Sequence, residues 1–340
     1  MFVLGIESSC DETAAAVIDG NGTLLSSVVW TQLEEHKRFG GVVPEIAARA
    51  HLEKLDEIVK KALNDAGITF NDLSAVAVAG GPGLIGGVIV GVMTAKAIAA
   101  VLNIPFVAVN HLEGHALAPF LDNPDLTFPF LLMLTSGGHC QILEALGIGK
   151  YKLLGKTIDD SAGEAFDKVA KMLDLGYPGG PYVEKAAAFG DKKRFALPRP
   201  MKGKPNCDFS FSGLKTAVLR IKDGLGENIT MQDKQDLAAS FQYAVADVME
   251  NRLLKAVDMF KDDCPEGKHL VVAGGVAANQ TIRQMIAEVA KEKGLNFAFP
   301  ALSLCTDNAG MIAYAGLKRL QEGMQSSLDF RPRPRWALYE

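Results

Sequence analysis

Phe130-Leu131-Leu132-Met133-Leu134-Thr135-Ser136-Gly137-Gly138-His139 is the stretch on which the architecture turns. Its apolar start has the composition of a buried strand, the polar Thr-Ser-Gly-Gly run is a tight turn, and His139 to Leu146 is the returning strand. The N-terminus carries the same pattern: Phe2 to Ile6 is apolar, Glu7-Ser8-Ser9-Cys10-Asp11-Glu12-Thr13 is a polar loop, and Ala14 to Ile18 returns. Asp19-Gly20-Asn21-Gly22 then turns the chain into a further strand, Thr23 to Trp30. Two hairpins with small polar tips, one in each half of the chain, predict a duplicated architecture. Each tip can hold phosphate oxygens through backbone N–H groups and hydroxyls, or be an ordinary surface hairpin.

Around the hairpins, strands alternate with helices, which predicts an α/β fold. Pro44 to Ala66 places Ile46, Leu52, Leu55, Ile58, Val59 and Leu63 at helical spacing and ends in Gly67. Val76 to Ala79 is a short strand running into Gly80-Gly81-Pro82-Gly83-Leu84-Ile85-Gly86-Gly87 and an apolar helix to about Leu102. A P-loop is excluded there, because Lys96 is followed by Ala97 and the glycine spacing is wrong; close backbone packing is the expected role. Further on, Ser161 to Leu173 and Tyr182 to Phe189 are helical, joined by the rigid Gly176-Tyr177-Pro178-Gly179-Gly180-Pro181 turn. Asp167 and Glu184 can flank a hydroxylated ligand, or be surface carboxylates.

Met231 to Lys261 reads as a long amphipathic helix and His269 to Ala273 as a buried strand. The glycines of Gly274-Gly275-Val276-Ala277-Ala278-Asn279 let a backbone approach a planar ligand closely, and Asn279 opens a helix to about Lys293. Phe297 to Pro300 is a last strand, and Leu304 to Gly310 caps a helix reaching about Leu320. The tail from Phe330 to Trp336 is extended, basic and expected outside the core. Lys192, Lys193, Arg194, Arg199, Lys202 and Lys204 form either a phosphate-backbone contact surface or a solvated loop.

At 340 residues the chain is long enough for two domains, each with its own core. No apolar run reaches the roughly 18 residues of a membrane span without polar interruption, so no membrane association is expected. Five cysteines without a CxxC pair fit reduced thiols in the cytoplasm. A net charge of -5 excludes coating nucleic acid by bulk charge but leaves room for a local basic patch or a basic partner.

His111 and His115, in Val109-Asn110-His111-Leu112-Glu113-Gly114-His115, directly follow an apolar strand. If a helix opens there, the i, i+4 spacing points both imidazoles to one side, which suits a divalent metal; the alternative is a pair without a ligand. The zinc-protease pattern is absent, since HExxH places Glu immediately after the first His and Leu112 stands there.

The alternation, the two hairpins and the late Gly-Gly turn resemble the two-lobed actin, Hsp70 and sugar-kinase architecture, a duplicated ribonuclease H-like (ASKHA) fold. More specifically, Glu7 to Thr13, the His111 and His115 pair, Thr135 to His139, Thr157 to Lys168, Gly179-Gly180-Pro181, Gly274 to Asn279 and Thr306-Asp307-Asn308 resemble the TsaD family of tRNA threonylcarbamoyltransferases, once described as sialoglycoprotein endopeptidases. The resemblance runs from residue 4 to residue 310. It implies transfer of a threonylcarbamoyl group from threonylcarbamoyl-AMP to the exocyclic amine of the adenosine 3' of the anticodon, in tRNAs reading codons that begin with A. AMP is released.

The resemblance also implies His111, His115 and Asp307 as metal ligands, a set that suits Fe(II) and is compatible with Zn(II). It implies Leu134, Thr135, Ser136, Gly137, Gly138, Asp167, Gly180, Glu184 and Asn279 as the adenylate site; Asp is frequent in the family where Glu184 stands. Partners implied are tRNA, a TsaB-like paralogue and a TsaE-like ATPase. Asp11 and Glu12 are the candidate acceptors of the amine proton, or else stabilise their loop by hydrogen bonds. The expected lobes are 1–115, completed by 308–340, and 116–307 with a basic insertion at 190–215, with the metal at the seam. The competing expectations are a non-catalytic nucleotide-binding subunit, a small-molecule kinase and, least favoured, a metallopeptidase.

Overall fold

The computed structural model describes residues 1–37, 39 and 41–340. Its chain divides into two compact units, one made of Met1–Asp125, Gly147–Lys150 and Pro300–Glu340 and the other of Leu126–Leu146 and Tyr151–Phe299. Residues 116–125 and 300–307, expected with the second lobe, thus pack with the first. Phe120 stacks on Tyr314 at 6.3 Å, and the Ala301 N–H donates to the Asp122 carboxylate at 2.8 Å.

In the first unit, β1 (Phe2–Glu7), β2 (Glu12–Asp19), β3 (Leu24–Thr31), β4 (Ala75–Gly81) and β5 (Phe106–Asn110) form a sheet of order β3-β2-β1-β4-β5. β1 pairs antiparallel with β2 and parallel with β4, and β4 is parallel to β5. β4 and β5 are buried along their whole length, as strands covered on both faces must be. Alternation then sorts the β2 side chains: Ala15 and Val17 join one core with the Pro44–Asp65 and Ile85–Leu102 helices, while Ala14 and Ala16 face Ala309.

The Ala309–Gln321 helix lies directly on the sheet because the contact residues are minimal. A Cβ on Gly5 would fall 2.4 Å from the Ala309 carbonyl, and one on Gly316 would fall 2.3 Å from the Ala77 Cβ. That close seating brings the residues just before the helix to the end of β5. The Ile85–Leu102 helix is long and apolar enough to cross a membrane by length and composition, which a run broken by Thr94 and Lys96 conceals. Here it packs on β4 and on the Pro44–Asp65 helix, and Lys96 donates to the Phe330 carbonyl at 2.6 Å.

The second unit repeats the plan with β6 (Phe130–Thr135), β7 (Cys140–Gly147), β8 (Lys150–Lys156), β9 (His269–Ala273) and β10 (Asn296–Ala298), in the order β10-β9-β6-β7-β8. β6 pairs antiparallel with β7 and parallel with β9, just as β1 does with β2 and β4. The duplication expected from two hairpins is therefore present strand for strand. The core of this unit is larger and includes Phe166, Phe209, Phe211, Phe241 and Phe260 around the Met231–Asp263 helix. Thr230 and Asp233 start that helix with reciprocal side-chain caps.

Two segments are held more closely than their composition suggests. The tail is docked: Arg333 N–H donates to the Gly80 carbonyl at 2.8 Å, and Gly83 N–H donates to the Pro334 carbonyl at 3.2 Å. Gly81, at φ +127°, makes this possible, since a Cβ there would lie 1.8 Å from the Arg333 carbonyl. The basic segment is only partly free for phosphates. Arg194 bonds Asp233 and Asp236, and Arg199 and Lys202 bond Asp247, so three of its cations strap it to the long helix.

Candidate functional site

β5 ends at Asn110, whose side chain accepts the Leu112 N–H at 2.9 Å and so starts the His111–Leu117 helix at once. His111 and His115 consequently face one side, their rings edge to face with centroids 4.8 Å apart. Asn308 caps the Ala309–Gln321 helix through Met311 N–H, which leaves Asp307 facing the two rings. Asp307 Oδ1 lies 3.0 Å from His115 Nε2 and 3.5 Å from His111 Nε2. One donor atom from each of the three residues lies within 4.8 Å of the others. Two imidazoles and a carboxylate, the rings buried and the carboxylate half-buried, fit a divalent ion. All three belong to one unit, so the triad forms within it and needs no seam.

The surroundings fix the rings unequally. Glu7, fully buried at the end of β1, places Oε2 2.9 Å from His111 Nδ1, and Ser9 Oγ lies 3.1 Å from the same atom. Burial alone would lower the His111 pKa; Glu7 and then Asp307 outweigh it and raise it to about 9. His115 Nδ1 is buried and has no hydrogen-bond partner among the described residues. Glu12 is held well above the usual carboxylate range, by burial first and then by Asp307 and Asp11, and burial, Asp11 and Asp307 likewise push the Cys10 thiol up. Burial and the neighbouring carboxylates both favour the protonated form of Glu12. A cation held at Asp307 acts in the opposite sense to the neighbouring carboxylates.

Glu113, between the histidines, is turned away from them. Arg319 Nε donates to it at 2.5 Å and Gly149 N–H at 2.7 Å, so it is a buried brace for the helix and unsuited to activating a metal-bound water. The peptidase expectation loses its only carboxylate in the motif.

In the second unit the expected adenylate residues cluster around three turns. Ser136 N–H donates to the His139 carbonyl at 2.7 Å, closing the hairpin tip, and Ser161 Oγ bonds the Gly137 carbonyl. Space beside Gly137, Gly138, Gly180 and Gly275 is open, since a Cβ on any of them meets nothing within 4 Å. Thr135 Oγ1 is buried with no hydrogen-bond partner among the described residues, a polar atom that a bound anion would satisfy. Leu134 is core, paired to Gln141 on one side and Ala273 on the other, and supports the turn from beneath.

Asp167 accepts the Gly179 N–H at 2.6 Å and Glu184 accepts the Gln280 N–H at 2.7 Å, so each carboxylate braces a glycine-bearing turn. Asn279 is committed to the fold through both ends of its amide. Its Oδ1 caps Ile282 N–H at 3.0 Å and its Nδ2 donates to Gln242 Oε1 at 2.8 Å.

Sequence reasoning missed Glu7, Ser9, Gln242 and His51. His51 Nε2–H donates to the Cys10 carbonyl at 3.0 Å and Nδ1 accepts from Thr13 Oγ1 at 2.8 Å, clamping both ends of the Cys10–Thr13 loop. Burial lowers its pKa, in keeping with a neutral ring. The available signals were a carboxylate ending an apolar strand, and a histidine on the inward stripe of an amphipathic helix.

The family model TsaD, tRNA N6-adenosine threonylcarbamoyltransferase, matches residues 23–314. A relative of that description from Paramagnetospirillum magneticum is 60% identical over 338 residues, covering 99% of this chain and 97% of that protein. Another, from Rhodospirillum rubrum, is 57% identical over 342 residues, covering 99% and 94%. Among solved structures, HypF of T. kodakarensis superposes with TM-score 0.60 at 15% identity, over 95% of this chain and 48% of that one, a likeness of fold alone.

Proposed function

The chain belongs to the TsaD family of tRNA N6-adenosine threonylcarbamoyltransferases, and from that membership we propose how its two sets of residues divide the work. It is a transferase with the actin, Hsp70 and sugar-kinase type of fold, and its macromolecular substrate is tRNA. The small substrate is threonylcarbamoyl-AMP. The N6 amine of the adenosine 3' of the anticodon attacks the carbamoyl carbon, the bond from that carbon to the phosphate oxygen breaks, AMP leaves, and one proton leaves the nitrogen. A mixed anhydride already has a good leaving group, so orientation and charge stabilisation are the main demands.

The observation that carries this reading is the convergence of His111 Nε2, His115 Nε2 and Asp307 on one point. These three would hold one divalent ion, Fe(II) before Zn(II), because the set leaves coordination positions open. When bound, such an ion supplies a Lewis acid for phosphate or carbamoyl oxygen. Ser136, Gly137 and Gly138 receive the phosphate at the hairpin tip. Gly180, Asp167 and Glu184 receive the ribose, each carboxylate having one oxygen engaged in bracing its turn. Asn279 acts through the turn it caps. Asp11 and Glu12 remain the candidates for the amine proton.

An exposed apolar stripe of Ile85, Ile89 and Met93, with Leu52 on the adjoining helix, supports docking of a TsaB-like paralogue, and a TsaE-like ATPase completes the assembly. We place the chain in the cytoplasm, where tRNA and its five free cysteines both belong.

The decisive experiment incubates the chain, with and without these partners, with threonylcarbamoyl-AMP and unmodified tRNA. Mass spectrometry then looks for threonylcarbamoyladenosine before and after chelation. Product that disappears on chelation and returns with Fe(II) is expected; no product under any condition defeats the reading, and product that survives complete metal removal defeats the role of the triad.

A further inference from the structure

Among the described residues, Glu7 is the one fully buried carboxylate that touches a ring of the triad from behind. The last residue of β1, it is held by pairing to Ala14 across the sheet, and its Oε1 accepts the Ser9 N–H at 2.6 Å. Its position is therefore set by the sheet and the loop together. The other oxygen reaches His111 Nδ1, on the side of the ring opposite Nε2, which faces Asp307. An imidazole that donates Nδ1–H to a carboxylate is confined to the tautomer whose Nε2 lone pair is free, and it becomes a more basic ligand. His115 presents Nε2 to the same Asp307 oxygen, yet nothing among the described residues bonds its Nδ1.

We propose that Glu7 is a positioning residue for the metal centre: it locks His111 with Nδ1 protonated and Nε2 toward the ion, making His111 the anchoring imidazole and His115 the more weakly held one. Ser9 Oγ, also within reach of Nδ1, is secondary because a neutral hydroxyl is the poorer acceptor. The inference rests on the metal reading of the triad and assigns it an internal order.

The test is a chelator-competition titration of the metal-free full chain with Zn(II), which is redox-silent and independent of any transfer assay. Glu7→Gln keeps the side-chain shape and removes the charge; its Zn(II) dissociation constant is expected to rise about 10- to 100-fold. Ser9→Ala is expected to shift it less than about threefold, well short of the loss that follows removal of a charged outer partner. In a His111→Ala background, Glu7→Gln should add nothing, because its effect passes through that ring. Wild-type affinity in Glu7→Gln, or an equal loss in the His111→Ala background, overturns the assignment.

Should Glu7→Gln fail to fold, nitrogen-15 NMR of histidine-labelled, Zn(II)-loaded wild-type chain decides instead. His111 protonated at Nδ1 upholds the proposal, and metal on Nδ1 overturns it. A wild-type chain that binds no Zn(II) overturns the metal reading and this inference together, whereas binding without transfer leaves the inference standing and defeats only the transferase chemistry.

Discussion

The two units repeat one sheet plan and use it differently. In the first, the proposed metal site and its surroundings are built from side chains locked in the interior: Glu7 behind His111, Arg319 behind Glu113, and His51 behind the Cys10–Thr13 loop. In the second, the corresponding hairpin tip offers backbone and space, with open volume beside Gly137, Gly138, Gly180 and Gly275. A metal demands fixed donor atoms at fixed distances, which buried and mutually bonded side chains provide. A nucleotide monophosphate demands N–H groups and room, which glycine turns provide. Substitutions should therefore damage folding and metal binding in the first unit, and ligand affinity alone in the second.

The strongest challenge to that contrast is Arg319→Met. It removes the cationic partner of a fully buried carboxylate in the middle of the His111–Leu117 helix and should cost about 3–5 kcal/mol, read by urea denaturation, with loss of Zn(II) binding. Retained stability would mean that Glu113 does not brace the histidines. Next comes Gly163→Ala, the exception within the second unit. Its Cβ would fall 2.8 Å from both the Gly137 Cα and the Ser136 carbonyl, so about 1–3 kcal/mol of stability is expected to go, along with the shape of the hairpin tip.

Gly137→Ala, by contrast, adds a methyl into open space. Stability should change by less than about 0.5 kcal/mol while KM for threonylcarbamoyl-AMP rises severalfold; a large stability loss would erase the distinction between the two kinds of glycine.

The remaining effect is one of pH, and it belongs to the first unit. His111 has its folded pKa raised from 6.5 to about 9, so the folded metal-free chain binds more protons than the unfolded chain between those values. The stabilisation is complete below pH 6.5 and is lost as pH rises through about 9. Thermal scans of metal-free chain should show Tm falling over that window by a few degrees, and saturating Zn(II) should remove the dependence because the ion takes the place of the proton.

Much of this was legible in the sequence because the relevant forces are local. Apolar runs and their period located the strands other than Lys150–Lys156, the polar hairpin tips and the longest helices, and the spacing of His111 and His115 put both rings on one side. The placement of Asp307 beside them came only from resemblance, since no local pattern links residues 192 positions apart. Nor did a local pattern reveal Glu7, 104 positions from His111, or Arg319, 206 positions from Glu113. The partners of the tail and of the basic segment were hidden for the same reason: each is polar and proline-bearing by composition, yet Phe330 and Trp336 find Gly80, and Arg194 and Arg199 find acidic residues on the Met231–Asp263 helix.

The sequence by itself determined which segments become strands and helices, which faces are buried, and which residue types stand at the tips. The tertiary structure alone decided which buried faces meet. That choice depends on surfaces from distant segments fitting at close range, and here on Gly5 and Gly316 letting the Ala309–Gln321 helix settle onto β1 and β4. A bulkier contact would lift the helix and carry Asp307 away from the histidines, a consequence of packing distance that hydrophobic periodicity does not encode.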